Sequence, residues 1–388
     1  MIKVATLNKI SQKGLSLLTD NYEITEDIDA ADAIIVRSAD MHDINLSENL
    51  LAIARAGAGV NNIPVNDCAE KGIVVFNTPG ANANAVKELV LAGMIMAARN
   101  LPAALEWEKT LEKDIAKAVE KGKAQFSGEE LMGKTLGVVG LGFIGVLIAN
   151  TAEFLGMKVV GFDPYISLKA AHELSSSVTI FDKLPEMLPV CDYVTIHTPF
   201  NDETKGMFDY QMIGHMKHKG VLLNFSRDKI VVMDDLKRSL EEKKLRYYVT
   251  DFPTDELQGL DGVMLLPHLG ASTKESEENC AIMAVQEIKD FIENGNILNS
   301  VNFPTLQQSV WDVGPRIVVL HKNIPKMLGT MTSALASMGI NISNMMNKSK
   351  GDYSCTLLDC DTDVNEDEVR KAFSVDGIIS VRIIPKRA

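Results

Sequence analysis

Three charged or titratable groups follow short apolar runs in the second half of this 388-residue chain. Leu222-Leu223-Asn224-Phe225-Ser226 leads into Arg227, and Leu265-Leu266-Pro267 leads into His268. Between them, Tyr248-Val249-Thr250 leads into Asp251, with Asp255 and Glu256 a few residues on. An imidazole can take a hydroxyl proton near neutral pH, a carboxylate can orient that ring, and a guanidinium can hold a carboxylate bidentately. Such a set suits hydride removal from an anionic hydroxy compound, provided a cofactor accepts the hydride. Singly, each group has a plainer reading: His268 as a turn histidine, Arg227 paired with Asp228, the acids simply solvated. Their placement after successive strands argues for one common site, because ligands of open α/β sheets bind beyond the carboxyl ends of the strands.

The acceptor is implied upstream. Gly140-Leu141-Gly142-Phe143-Ile144-Gly145 follows the apolar run Leu136 to Val139, precedes a helical pattern, and is followed by a second strand ending at Asp163. Gly140 permits a tight turn, Gly142 lets a pyrophosphate approach the backbone, and Gly145 lets helix and strand pack closely. The helix start at Phe143 and Ile144 faces the phosphate charge. Asp163 can accept both ribose hydroxyls and would repel a 2′-phosphate, which favours NAD over NADP.

These motifs require a scaffold of alternating strands and helices. Strands are predicted at Lys3–Thr6, Ala33–Val36, Ile53–Ala56 and Val74–Asn77, followed by a long helix from Asn84 to about Glu120. A second series runs through Lys134–Val139, Lys158–Phe162, Tyr193–Ile196, Gly220–Asn224, Arg246–Thr250 and Val263–Leu266, with a helix over Thr273–Glu293. The pattern predicts two doubly wound parallel-sheet α/β domains, a Rossmann-type cofactor domain inserted in a flavodoxin-like substrate domain. The substrate domain is expected over residues 1–98 and 283–303, and the cofactor domain over 99–282. Residues Asn302 to Pro315 read as a linker, and 315–388 as a ferredoxin-like βαββαβ module.

Composition narrows the partners. A net charge of −13 argues against nucleic acid and against anionic membrane surfaces, so an anionic substrate needs local arginines. The longest apolar stretch, Leu89 to Ala98, is too short to span a bilayer, and the N-terminus has no signal-peptide pattern. Five scattered cysteines without C-x-x-C suggest neither a disulfide framework nor a metal cluster, and point to the reducing cytoplasm.

Nearly the whole chain resembles the D-2-hydroxyacid dehydrogenase family. Besides the glycine motif, the likeness rests on Arg55-Ala56-Gly57-Ala58-Gly59-Val60-Asn61-Asn62, Asn77-Thr78-Pro79, His197-Thr198-Pro199 and Pro267-His268-Leu269-Gly270-Ala271-Ser272-Thr273. The resemblance implies that Arg227 binds substrate, that His268 carries the proton, and that Thr198, Pro199, Thr250 and Asp251 line the cofactor groove. Asp228 stands where the family usually has glycine. The family's acid falls on Asp255 when Phe252 is aligned and on Glu256 when Asp251 is; the longer Phe-Pro-Thr match favours Asp255. Arg37-Ser38 resembles the phosphate-binding pair of members that act on 3-phosphoglycerate, with Gly57 and Asn82 as further substrate contacts.

The C-terminal module resembles an ACT domain. By that likeness His321, Asn323 and Asn341 would bind L-serine where two modules pair, with Lys326 standing where a glycine often follows the proline. A homodimer or homotetramer is expected on the same ground. Two rival readings remain: a dehydrogenase of another 2-hydroxy acid, such as glycerate or hydroxypyruvate, and a non-catalytic NAD-sensing binding protein.

Overall fold

The computed structural model describes residues 1–386. It falls into two compact units, residues 1–82 with 277–388 and residues 83–276. In the first, β1 (Ile2–Leu7), β2 (Tyr22–Thr25), β3 (Ala33–Val36), β4 (Ala52–Arg55) and β5 (Val74–Asn77) form a parallel sheet in the order β2-β1-β3-β4-β5. All four residues of β3 are buried, as expected of a parallel strand covered on both faces. The long helix Lys274–Asn294 covers one face through Ala281, Ala284, Val285 and Ile288. β2 was not expected, because Glu23 and Ile24 face solvent and its edge position leaves only a faint apolar signal.

The second unit carries β6 (Thr135–Val139), β7 (Lys158–Phe162), β8 (Thr179–Ile180), β9 (Tyr193–Ile196), β10 (Gly220–Asn224), β11 (Leu245–Thr250) and β12 (Val263–Leu265). The sheet is parallel in the order β12-β11-β10-β9-β6-β7-β8. Strand order reverses at β6, the position where such sheets bind ligands. The helix Ala83–Arg99 belongs to this unit, which moves the expected boundary from residue 98 back to 82. Its Val86, Val90, Met94 and Ala97 join the cofactor-sheet core, and Gly93 lies against Val249 and Phe225. The predicted single helix to Glu120 is instead three helices, ending at Arg99, Glu108 and Gly122. Asn100 turns left-handed (φ 51°) and Pro102 lacks an N–H, so the first helix cannot continue.

The C-terminal sheet consists of β13 (Arg316–Lys322), β14 (Ile342–Lys350), β15 (Tyr353–Cys360) and β16 (Ile378–Ile384), antiparallel in the order β14-β15-β13-β16. Two helices, Met327–Ser337 and Glu366–Ala372, complete the βαββαβ pattern. This module is not a tethered third domain. Along β13, Ile317 and Val319 enter a core with those two helices, while Val318 and Leu320 enter the core of the first unit. β15 divides the same way, Leu358 and Cys360 against Cys355 and Leu357. Nor is 302–315 a free linker: Phe303 and Leu306 are fully buried, and Leu306 bridges Ile297.

Two arginines fasten the module to the end of the long helix. Arg382 donates to the carbonyls of Phe291 and Ile292 (2.6 Å to the latter), its guanidinium 4.6 Å from the Phe291 ring centre. Arg316 donates to the Asn294 carbonyl at 2.8 Å and pairs with buried Asp359. Both supply donors to carbonyls of the last helical turn, where main-chain partners run out; the Phe291 carbonyl also accepts from the Gly295 amide at 2.9 Å. Burial lowers the Arg382 guanidinium to about 10, which leaves it charged.

Among the described residues no single helix is long and apolar enough to cross a membrane, and no cluster of metal-ligating side chains forms. All five cysteines are buried, and none forms a disulfide among the described residues.

Candidate active site

The glycine loop after β6 takes the shape that a dinucleotide needs. Gly140 has φ +91°, and a Cβ there would come within 2.7 Å of the His197 carbonyl group. A Cβ at Gly145 would sit 1.9 Å from the Gly140 oxygen, so helix and turn pack without room for a methyl. At Gly142 nothing lies within 4 Å of a Cβ. That open space sits over the start of the helix Phe143–Phe154, which has no side-chain cap. Space for an anion beside uncapped helix amides fits a pyrophosphate. Asp163 ends the β7 turn, its oxygens accepting from the Leu141 and Tyr165 amides at 2.8 Å each. Its carboxylate is thereby fixed beside the loop, where ribose hydroxyls would meet it. A shallow cavity beside the loop also involves Ser167 and Lys169, which the glycine pattern alone did not single out.

Around the other cofactor positions, the Ser226 hydroxyl donates to the Thr198 carbonyl, while the Thr198 hydroxyl is buried without a partner. Pro199 is exposed next to it. Thr250 is fully buried, and its hydroxyl donates to the Asn224 carbonyl and accepts from the Phe252 amide. The Thr250 hydroxyl thus ties β11 to β10. His197 makes one ring contact, Nε2 to the Thr195 hydroxyl at 2.7 Å, and leaves Nδ1 buried and unpaired. Burial pushes its imidazole down to about 3, so this ring is neutral and is no proton carrier at ordinary pH.

The loops after β10, β11 and β12 bring Arg227, Asp251 and His268 together. His268 sits in a left-handed turn (φ 47°), its amide donating to the Asp251 carbonyl at 3.0 Å and its ring 5.0 Å from that of Phe252. Asp251 Oδ2 accepts from the Gly270 amide at 2.7 Å, while Oδ1 is buried without a partner. Burial holds this carboxyl above the usual carboxylate range, opposed by the Gly270 amide and the charges of His268 and Arg227. One carboxylate thus feels both cationic partners. Asp255, expected to orient His268, is exposed and makes no hydrogen bond or ion pair among the described residues. Glu256 lies 3.8 Å from Lys237 instead. Asp251, by contrast, is bonded to the His268 turn through its main-chain carbonyl. Arg227 is exposed, donates to the Ser226 carbonyl at 2.6 Å, and makes no ion pair with Asp228.

In the first unit, Arg37 and Ser38 follow β3. Their amides and that of Ala39 all donate to Asn8 Oδ1, at 3.2, 2.9 and 2.9 Å. Arg55, at the end of adjacent β4, donates from Nε to the Arg37 carbonyl at 3.1 Å. Gly57 makes room for the Arg55 guanidinium, since a Cβ would lie 2.6 Å from its Nη1. Asn82 is half-buried at the end of this unit. Asn8, directly after β1 at φ 80°, escaped the sequence reading, and Arg55 stood in it only as the start of a family motif without a role.

A model of the family described as "D-isomer specific 2-hydroxyacid dehydrogenase, NAD binding domain" matches residues 91–270. The D-3-phosphoglycerate dehydrogenase of Escherichia coli is 30% identical over 354 residues, 88% of this chain and 83% of that one. The chain belongs to the D-2-hydroxyacid dehydrogenase family. The enzyme of the same name from Methanocaldococcus jannaschii is 33% identical, but the chain spans only 61% of its length. Among solved structures, the NAD+-bound 3-phosphoglycerate dehydrogenase of Entamoeba histolytica is similar with TM-score 0.63 and 28% identity, covering 79% of this chain and 99% of that one. NAD is the cofactor that the glycine loop and Asp163 of this family member accommodate.

The residues singled out for regulation do not meet within one chain. His321 is buried, with Nδ1 2.9 Å from the Lys322 carbonyl and Nε2 2.8 Å from the Thr356 hydroxyl. Asn323 donates to the Gly351 carbonyl, where β13 ends opposite Tyr353. Asn341 donates to Asp361, at the other end of β15.

Proposed function

We propose that this chain oxidises 3-phospho-D-glycerate to 3-phosphooxypyruvate with NAD, the first step of L-serine biosynthesis. The observation that carries the reading is the His268 turn, whose amide donates to the carbonyl of buried Asp251 on the neighbouring strand end, in the same sheet as the glycine loop. Arg227 grips the substrate carboxylate bidentately and polarises the forming carbonyl. His268 takes the hydroxyl proton as the C–H bond breaks, and Asp251 steadies the resulting imidazolium. Bound NAD supplies the hydride acceptor. Arg37, with Ser38, holds the phosphate. The names of the relatives support this substrate.

The test is NADH absorbance with 3-phosphoglycerate, D-glycerate and D-lactate in parallel. Turnover fastest with an unphosphorylated acid would favour the rival dehydrogenase, and none with any acid would favour an NAD-binding protein. Arg37→Ala should raise KM for 3-phosphoglycerate at least tenfold more than for D-glycerate; equal effects would remove the clamp.

Two further parts belong to the same reading. L-Serine is the expected effector: Asn323 and Asn341 lie at opposite ends of the sheet, so a site using both needs a second copy of the module. Calorimetry without heat on adding serine, together with unchanged turnover, would leave a module without that ligand. A homo-oligomer in the cytoplasm is expected, supported by exposed Ile95, Leu105 and Phe154 in the cofactor unit and by five buried cysteines that form no disulfide among the described residues. A monomer in sedimentation would overturn the first of these.

A further inference from the structure

The guanidinium assigned to the substrate phosphate already has an anion. Arg37 Nη1 lies 2.8 Å from Glu277 Oε1, and both residues belong to the first unit. Among the described residues Glu277 is the only ion partner of Arg37. Everything else about Arg37 is fixed through its main chain, by Asn8 on three consecutive amides and by Arg55 on the carbonyl. The neighbouring acid on the same helical turn, Glu278, is directed to Lys13 at 2.6 Å. Glu277 is therefore not one more solvated helix acid: it is aimed at Arg37.

We propose that Glu277 is an internal stand-in for the substrate's phosphate, covering Arg37 until a dianion displaces it. The inference rests on the reading of Arg37 as the phosphate clamp. The two side chains are 38% and 44% exposed, so the pair is weak and screened by salt. A phosphate dianion brings twice the charge and three acceptor oxygens to a guanidinium built for bidentate contact, so exchange favours it. The uncharged hydroxyl tail of an unphosphorylated acid offers no such gain, and Arg37 stays covered. Glu277 thus raises the threshold for occupying the clamp and reserves it for strongly anionic tails. No bond is made or broken in this step; one anion replaces another at one cation.

Glu277→Gln retains length and an acceptor atom but removes the charge. It is expected to lower KM for 3-phosphoglycerate two- to fivefold, about 0.4 to 1 kcal/mol at ~1.36 kcal/mol per tenfold. It should leave kcat and the KM for D-glycerate unchanged, and its advantage over the wild type should shrink as salt rises. A raised KM would mean that Glu277 orients Arg37, and an unchanged KM would mean that the pair is incidental; either overturns the proposal. Arg37→Ala, measured alongside, separates the two levels. If it affects both substrates equally, the clamp itself is wrong; if it is selective, Glu277→Gln decides the stand-in alone. Calorimetric titration with inorganic phosphate needs no turnover: Glu277→Gln should bind more tightly than the wild type, and Arg37→Ala should not bind. Equal phosphate affinity in the wild type and Glu277→Gln would also overturn the proposal.

Discussion

At the carboxyl end of the cofactor sheet, the exposed His268 is held through its main chain by a buried acid. Asp251 is 2% exposed and grips the His268 turn through its own carbonyl and through the Gly270 amide. At the carboxyl end of the N-terminal sheet the main chain of Arg37 is also fixed, but its charged end rests on an exposed carboxylate. The first arrangement is insensitive to salt and costly to disturb, because buried polar groups lose their partners with any change. The second is cheap to rearrange. Acid–base chemistry needs geometry fixed to fractions of an ångström, whereas recognition of a remote anionic tail tolerates a side chain that changes partner.

The sharpest break of this comparison is at the cofactor-sheet end. His268→Gln should lower kcat by about 10²- to 10⁴-fold with little change in NADH binding. Asp251→Asn should cost about tenfold or more in kcat, whereas Asp255→Asn should stay within about twofold, since Asp251 is the buried acid bonded to the His268 turn and Asp255 is exposed. Steady-state kinetics on the three variants checks the order, and a larger loss at Asp255 would return the orienting role to that residue.

The glycine loop separates folding from binding. Gly145→Val should destabilise the fold by about 1–3 kcal/mol or more in denaturant titration, because its Cβ has no room against the Gly140 oxygen. Gly142→Val should keep the wild-type midpoint and lose NADH binding in fluorescence titration, because its Cβ enters only the open space over the helix start. Equal stability losses in both would deny that the space at Gly142 is reserved for a ligand.

The N-terminal unit carries its own pH dependence in Glu287, which burial pushes up to about 8 while Asn299 donates to one oxygen. Its folded-state value lies above the ordinary 4.5, so the folded state binds more protons between those limits. Stability contributed by the protonated form is complete below about pH 4.5 and is lost as pH rises through 8, by roughly 2–4 kcal/mol. Glu287→Gln should flatten this part of the Tm-against-pH curve, and a curve parallel to the wild type would assign the effect elsewhere.

The smallest expected effect is at Lys326, which adopts φ 74° at the start of a helix. Lys326→Gly should stabilise the chain by up to about 1 kcal/mol by relieving a left-handed side-chain-bearing residue. A loss of stability would show that the lysine side chain itself contributes.

Much of the fold was legible because its signals are local. The strand Ala33–Val36, the strand Lys158–Phe162 and the helix ending near Asn294 appear where their apolar runs and stop signals put them. The edge strands β2 and β8 were missed, since half-exposed short strands carry little pattern. The docking of the C-terminal module had a signal that was underread: Ile317-Val318-Val319-Leu320 is continuously apolar, as a strand buried on both faces must be, and not alternating. For the site, the glycine spacing and Asp163 were readable because a dinucleotide loop is made of consecutive residues. The choice between Asp255 and Glu256 was not, because one-dimensional alignment does not say which way a turn after Pro253 points.

By itself the sequence determined which chemical groups the chain owns and the local geometry that follows from neighbours along the backbone: the tight turn at Gly140, the bare helix start after Gly142, the order of strands and helices. Tertiary structure alone decided that Asp251 is bonded to the His268 turn, that Arg382 and Arg316 close the end of a helix formed some twenty or more residues earlier, and that Arg37 rests on Glu277. The reason is physical. A backbone conformation is set by a residue and its immediate neighbours, whereas a pairing of charges depends on which distant segments the hydrophobic core brings to the same place.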